Sequence, residues 1–146
     1  MILELVVVLV IFVSTVLIFR YTTGFYPAST LIIEDPPVEH NGLEPSQARF
    51  MFFYTTWCPW SRKAQAPWRS FKQDTNNKKT QYGDYEILFE EIDAESDQGK
   101  TALYKIKEFP SFRLEIHNKV YTFKGVPDPL TFDAFLVSAL GSKKTT

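Results

Sequence analysis

Trp57-Cys58-Pro59-Trp60-Ser61 places the single thiol of this chain directly ahead of a proline suited to the first position of a helix. A thiol in front of a helix N-terminus faces aligned backbone N–H dipoles. These favour thiolate and raise the reactive fraction at neutral pH. Such a thiolate attacks a disulfide and forms a mixed disulfide with a partner protein or with glutathione. Ser61, three residues on, can donate a hydrogen bond to the thiolate, but a hydroxyl does not resolve the adduct. Cys58 and Ser61 are therefore the candidate catalytic residues. The chemistry open to them is trapping or monothiol exchange, with an external thiol needed for release. The competing reading of Cys58 is a small, partly buried residue with no chemistry.

One cysteine excludes an intramolecular disulfide and a cysteine-built metal cage, and no cofactor or metal is expected. His40 and His117 have no motif around them and read as turn or surface residues. Trp57 and Trp60, with Pro59, are candidates for an apolar lip that docks an extended peptide against Phe109-Pro110; ordinary packing is the alternative, and is favoured for Trp60. Asp93 is expected to pair with a lysine at a strand end, with no catalytic role.

The charge of -1 over 146 residues is unevenly spread. Residues 20–48 hold Arg20 against Glu34, Asp35, Glu39 and Glu44, a net of -3, and residues 49–146 hold 15 Lys+Arg against 12 Asp+Glu, a net of +3. No dense basic run argues for nucleic acid. No Asn-x-Ser/Thr site occurs, and together with the cysteine count this leans toward a reducing compartment.

The elements that must position Cys58 follow from periodicity. Residues 49–55 (RFMFFYT) read as a buried strand. The helix after Pro59 carries Trp60, Ala64, Trp68 and Phe71 on one face, with Arg62, Gln65, Arg69 and Lys72 opposite and Pro67 expected to kink it. Residues 74–84 are polar and turn-rich and read as a surface loop. Residues 86–93 give a second strand, and residues 98–107 a helix burying Ala102, Leu103 and Ile106. Phe112, Leu114 and Ile116 alternate with Arg113 and Glu115, a third strand. A tight turn at 117–119 returns the chain through Val120–Phe123 to Gly125. Asp128 caps and Pro129 opens a last helix, with Phe132, Phe135, Leu136 and Ala139 inward and Gly141 as its stop. The order is β-α-β-α-β-β-α: an α/β domain with a mixed four-stranded sheet flanked by helices, over residues 48–141. Residues 142–146 are a basic tail expected to fray.

Residues 2–19 (ILELVVVLVIFVSTVLIF) hold one charge, Glu4. Eighteen helical residues span roughly 27 Å, close to the hydrocarbon thickness of a bilayer. The expectation is one transmembrane helix over residues 1–21, with Arg20 and Tyr21 at an interface and the membrane as a partner. A cleaved signal peptide, a buried strand and an interfacial helix are the alternatives. Arg20 weakly places the domain on the cytoplasmic side. Residues 22–47, with Gly24, Pro27, Pro36, Pro37, Gly42 and Pro45, read as a linker in which Leu31-Ile32-Ile33 forms a short edge strand.

Trp57-Cys58-Pro59-Trp60-Ser61, Phe109-Pro110-Ser111, the hairpin closing in Gly125 and the final helix together resemble the thioredoxin superfamily, in its thioredoxin and protein disulfide isomerase branches. The resemblance covers roughly residues 48–141. It implies a cis bond at Pro110, facing Cys58. Four departures stand out. The second cysteine of the family is Ser61; the family's buried acid on the first strand is missing; the helix proline lies one residue further along; and residues 74–84 look like an insertion. A monothiol redox or trapping protein is one implied function. The other is a non-catalytic structural or adaptor module for protein partners, similar to virion membrane or capsid-associated proteins of large DNA viruses.

Overall fold

A computed structural model describes residues 2–23, 32–38, 41–117 and 119–145. The side chains of Arg20 and Tyr21, the linker residues Gly24, Pro27 and Leu31, and His40 and Asn118 lie outside the described residues. The chain divides into two compact units, Met1–Thr30 and Leu31–Thr146.

The first unit is helix α1, Ile2–Thr23. Its two hydroxyls bond back to the preceding turn, Ser14 Oγ to the Val10 carbonyl and Thr15 Oγ1 to the Ile11 carbonyl. Among the described residues no helix is long and apolar enough to cross a membrane. The expected transmembrane span is thus not supported by the structure.

The second unit is built on β2, Gln47–Tyr54. Its side chains alternate between two cores. Ala48, Phe50 and Phe52 enter the larger one, with Trp68, Phe71, Phe112, Phe132 and Phe135. Met51 and Phe53 enter the smaller one, with Ile92, Tyr104 and Val120. An eight-residue strand that is apolar on both faces must be covered on both, which explains its run of aromatics. Strand β4 (Tyr85–Asp93) pairs with β2 in parallel, and β5 (Ser111–Ile116) pairs with it antiparallel. Strand β6 (Lys119–Phe123) returns beside β5.

Three short strands widen the expected four-stranded sheet to seven. Strand β1 (Ile32–Asp35) pairs antiparallel with β6. Strands β3 (Gln81–Tyr82) and β7 (Lys143–Lys144) extend the other edge, for the order β1-β6-β5-β2-β4-β3-β7. The sheet therefore reaches beyond residues 48–141. The tail does not fray: Lys143 and Lys144 pair with β3 and with Asp133 and Asp84.

The helices depart from expectation in three places. Helix α2 runs Pro59–Asn77, straight through Pro67 and into the expected loop. Thr75, Thr80 and Tyr82 of that segment are buried, so the stretch is structural rather than a surface insertion. Helix α3 is only Gln98–Leu103. Lys105 beyond it has φ +51°, a left-handed turn that ends the helical ladder. Ala102 and Leu103 face outward, and the buried residue of this segment is Tyr104. Trp60 is exposed, because α2 buries Ser61, Ala64, Trp68 and Phe71 instead. Helix α4, Pro129–Leu140, starts at Asp128, whose carboxylate accepts the Leu130 N–H at 2.9 Å.

Candidate functional site

Cys58 is the N-cap of α2, in an extended conformation (φ −77°, ψ 117°), and Pro59 occupies the first helical position. Its carbonyl accepts the Arg62 N–H at 3.2 Å, starting the helix. Its Sγ lies 3.5 Å from the Phe109 carbonyl oxygen, to which the thiol donates. The bond between Phe109 and Pro110 is cis. The loop after β2 and the loop before β5 are thus brought face to face, as β2–β5 pairing dictates: Phe53 lies opposite Ser111.

The electrostatics favour ionisation. The Ser61 backbone N–H lowers the Cys58 pKa most; partial burial opposes it, and the Ser61 hydroxyl, the Trp60 N–H and the Arg62 charge add to the lowering. Ser61 is fully buried, and its Oγ accepts the Thr55 N–H at 3.4 Å. Its own proton is thereby directed to the sulfur. A thiol donates to Phe109, whereas a thiolate is held by three donors of the α2 N-terminus. Cys58 is 6% exposed as a residue.

Beside the sulfur runs an apolar groove of about 390 Å³, lined among others by Trp60, Phe109, Pro110, Phe123, Val126 and Pro127. Trp60 is 67% exposed, with the Lys63 ammonium 4.7 Å from its ring centroid. The structure brings Trp60, Phe109 and Pro110 together in this groove. Trp57, 64% exposed, and Pro59 do not line it.

Three contributors to the site, Val126, Pro127 and Glu95, escaped the sequence reading. Val126 and Pro127 follow the hairpin and reach the groove only because β6 ends there. Glu95 accepts from both the N–H and the hydroxyl of Thr56 at 3.4 and 2.9 Å, pinning the loop that precedes Cys58. Glu115 is a buried acid, but in the wrong place for the thiol. It pairs with Arg49 at 3.2 Å and accepts the Tyr104 hydroxyl at 2.7 Å. Arg49 lies five residues from the Tyr54 end of β2, roughly 16 Å of strand. Alternation placed Glu115 outward; the second core makes that face an interior. Asp93 makes a turn with the Glu95 N–H and the Ser96 hydroxyl, not a lysine pair. Among the described residues no cluster could hold a metal.

No protein-family model matches the sequence, and no curated protein matches it. Solved structures do match. The J-Trx1 fragment of ERdj5 aligns with TM-score 0.56 at 14% identity, covering 66% of this chain and 45% of that one. Human ERp44 aligns with TM-score 0.57 at 12% identity, covering 67% and 29%. Thioredoxin of Fasciola hepatica aligns with TM-score 0.52 at 15% identity, covering 64% and 81%. This chain thus spans less than half of ERdj5's fragment and of ERp44. At such identities the match speaks to architecture. With the mixed sheet, the flanking helices and the cysteine-capped helix facing a cis-proline, the chain has a thioredoxin-like α/β fold.

Proposed function

We propose that this thioredoxin-fold protein forms mixed disulfides with partner proteins through Cys58. The Cys58 thiolate attacks one sulfur of a partner disulfide. A new Cys58–partner S–S bond forms, the old S–S bond breaks, and the second partner sulfur leaves as thiolate. Ser61 cannot displace the adduct, so a second, external thiol such as glutathione restores Cys58 and carries away the partner as a new disulfide. The observation that supports the reading most is the set of Ser61 and Trp60 donors around Sγ, which lowers the Cys58 pKa. The test is trapping: full chain against Cys58→Ala, with partners recovered under non-reducing conditions. The same disulfide-linked partner only with the thiol supports exchange.

A second reading is a non-catalytic adaptor. The burial of Cys58 favours it, because attack at sulfur needs in-line access. Identical partners with and without the thiol support this reading. Attachment to a membrane through α1 is a further part of the proposal. Its basis is the exposed apolar run Val6–Val13. Retention of the full chain in the membrane pellet after carbonate washing, and its release when residues 2–19 are removed, tests it.

A further inference from the structure

Next to the groove lined by Trp60 is a second cavity, of about 350 Å³ and of different character. It shares Pro110, Phe123 and Gly125 with the apolar groove, so the two adjoin. Its charged lining is Lys105, Lys107, Glu108, Arg113 and Lys124, with Ser111 and Thr122 beside them. Four cations against one acid leave a net of +3, which equals the whole excess of residues 49–146, where 15 Lys+Arg stand against 12 Asp+Glu. The rest of residues 49–146 is neutral and residues 32–48 of the same unit are acidic, so the cavity is a local cluster of positive charge.

Three of the four cations are without an ion pair among the described residues, and the fourth, Arg113, is paired with Asp35. Lys105, Lys107 and Lys124 make no ion pair among the described residues, whereas Lys72, Lys78, Lys100, Lys119, Lys143 and Lys144 each do. Arg113 is largely buried; its Nη1 bonds the Phe112 carbonyl at 3.3 Å, and its Nε stands 3.9 Å from Asp35, a long contact. Ser111 gives its hydroxyl proton to the Glu108 carbonyl at 2.7 Å and keeps its lone pairs for other donors. Lys105 occupies a left-handed position (φ +51°) that glycine takes at lower cost.

We propose that this cavity binds the carboxylates of an acidic polypeptide segment whose neighbouring apolar side chains lie in the groove beside Trp60. Two adjoining sites, one apolar and one cationic, fit an extended strand with Asp or Glu next to apolar residues, successive same-face side chains standing about 7 Å apart. A nucleic acid would need an excess of basic residues beyond the cavity, and the rest of the unit carries a net negative charge. The proposal deepens the partner-docking reading above and rests on it.

The test uses the full chain in detergent and two cysteine-free octapeptides, one alternating Glu with Phe and Leu, the other with Gln in place of Glu. The acidic peptide is expected to bind about tenfold more tightly at low salt, the size of several partly exposed ion pairs, and to lose the advantage at about 1 M salt. Lys105→Gln, Lys107→Gln and Lys124→Gln combined should abolish the preference. A control of equal charge, Lys78→Gln, Lys79→Gln and Lys119→Gln combined, should keep it. Equal binding of the two peptides, or equal loss in both variants, overturns the proposal. Because the peptides lack sulfur, Cys58→Ala should bind them unchanged. A normal acid preference beside an unactivated thiol sinks only the redox reading, and an activated thiol without acid preference sinks only this one.

Discussion

Cys58 Sγ faces the Phe109 carbonyl oxygen at 3.5 Å, across the gap between the helix N-terminus of α2 and the loop that opens β5. The same sulfur is served by the backbone and hydroxyl donors of Ser61. Its protonation state therefore selects its partner: the carbonyl for the thiol, the N–H groups for the thiolate.

Ser61→Ala removes the hydroxyl donor and keeps the backbone donor, which is the stronger influence. Cys58 alkylation is expected to keep a midpoint below that of a free thiol, but higher than in the parent. Alkylation at neutral pH should slow by a few fold. The linked stability effect has a definite sign. A thiol whose folded pKa is depressed stabilises the fold above its unfolded pKa, and this contribution fades as pH falls through the folded pKa. Rates of iodoacetamide labelling against pH check the midpoint. A midpoint unchanged by the substitution contradicts the role given to the hydroxyl.

Ser61→Cys supplies the missing resolving thiol three residues along the same helix, at a buried position the hydroxyl already fills. With oxidised glutathione as oxidant, the variant should form an intramolecular disulfide, releasing two glutathione thiols per bond. Pre-reduced and with no other thiol present, the variant should reduce an insulin disulfide and release it as its own disulfide forms, while the parent stops at a mixed disulfide. Counting free thiols by mass spectrometry after oxidation decides the matter, and a persistent glutathione adduct on the variant would count against the geometry.

Glu115 is fully buried between Arg49 and the Tyr104 hydroxyl, and its Oε1 has no partner among the described residues. Glu115→Ala strands the Tyr104 hydroxyl in the smaller core and opens a cavity. Arg49 keeps Glu90 and the Asn41 carbonyl. The loss is expected at about 2–4 kcal/mol, below the full cost of orphaning a buried charge. Tyr104→Phe should cost less, about 1 kcal/mol. Urea titrations of both variants give the comparison. Equal midpoints would mean the carboxylate contributes nothing beyond its hydroxyl bond.

Gly83 turns β3 into β4 with φ +61°, and a β-carbon there would stand 2.1 Å from the Leu140 carbonyl oxygen. Both the backbone conformation and the clash oppose a side chain. Gly83→Ala should cost at least about 2 kcal/mol and loosen the end of α4. Its N–H also bonds the Ser142 carbonyl at 2.9 Å, so β7 should be released with it. Faster amide exchange at Lys143 and Lys144 would show this, whereas unchanged protection there would refute the link.

Trp60→Ala tests the lip directly. An exposed ring contributes little to the core, so stability should change by less than about 0.5 kcal/mol. Affinity for the Phe- and Leu-bearing peptide should fall several fold. A large loss of stability instead would return Trp60 to a packing role.

Local rules carried the reading of this chain a long way. Runs such as RFMFFYT, the Pro59 and Pro129 helix starts, the Asp128 cap and the hairpin at 117–119 are short-range signals, and β2, α2, β5, β6 and α4 follow from them. The lone thiol ahead of a helix is likewise a local fact. Other features depend on residues distant in sequence. Whether a strand's second face is solvent or interior depends on what later covers it, so Glu115 reads as outward from its alternation and lies buried under Tyr104. Trp60 sits at core spacing, yet a one-position rotation of α2 against β2 turns it outward and Ser61 inward. Two-residue strands such as β3 and β7 carry too few side chains for periodicity to register; only their pairing defines them. The groove and the basic cavity belong to this second class, since they join residues 60, 110 and 126 in one case and 105, 113 and 124 in the other. Hydrogen bonding along the chain sets its elements, while burial, which sums over neighbours far apart in sequence, sets which faces meet and what lies between them.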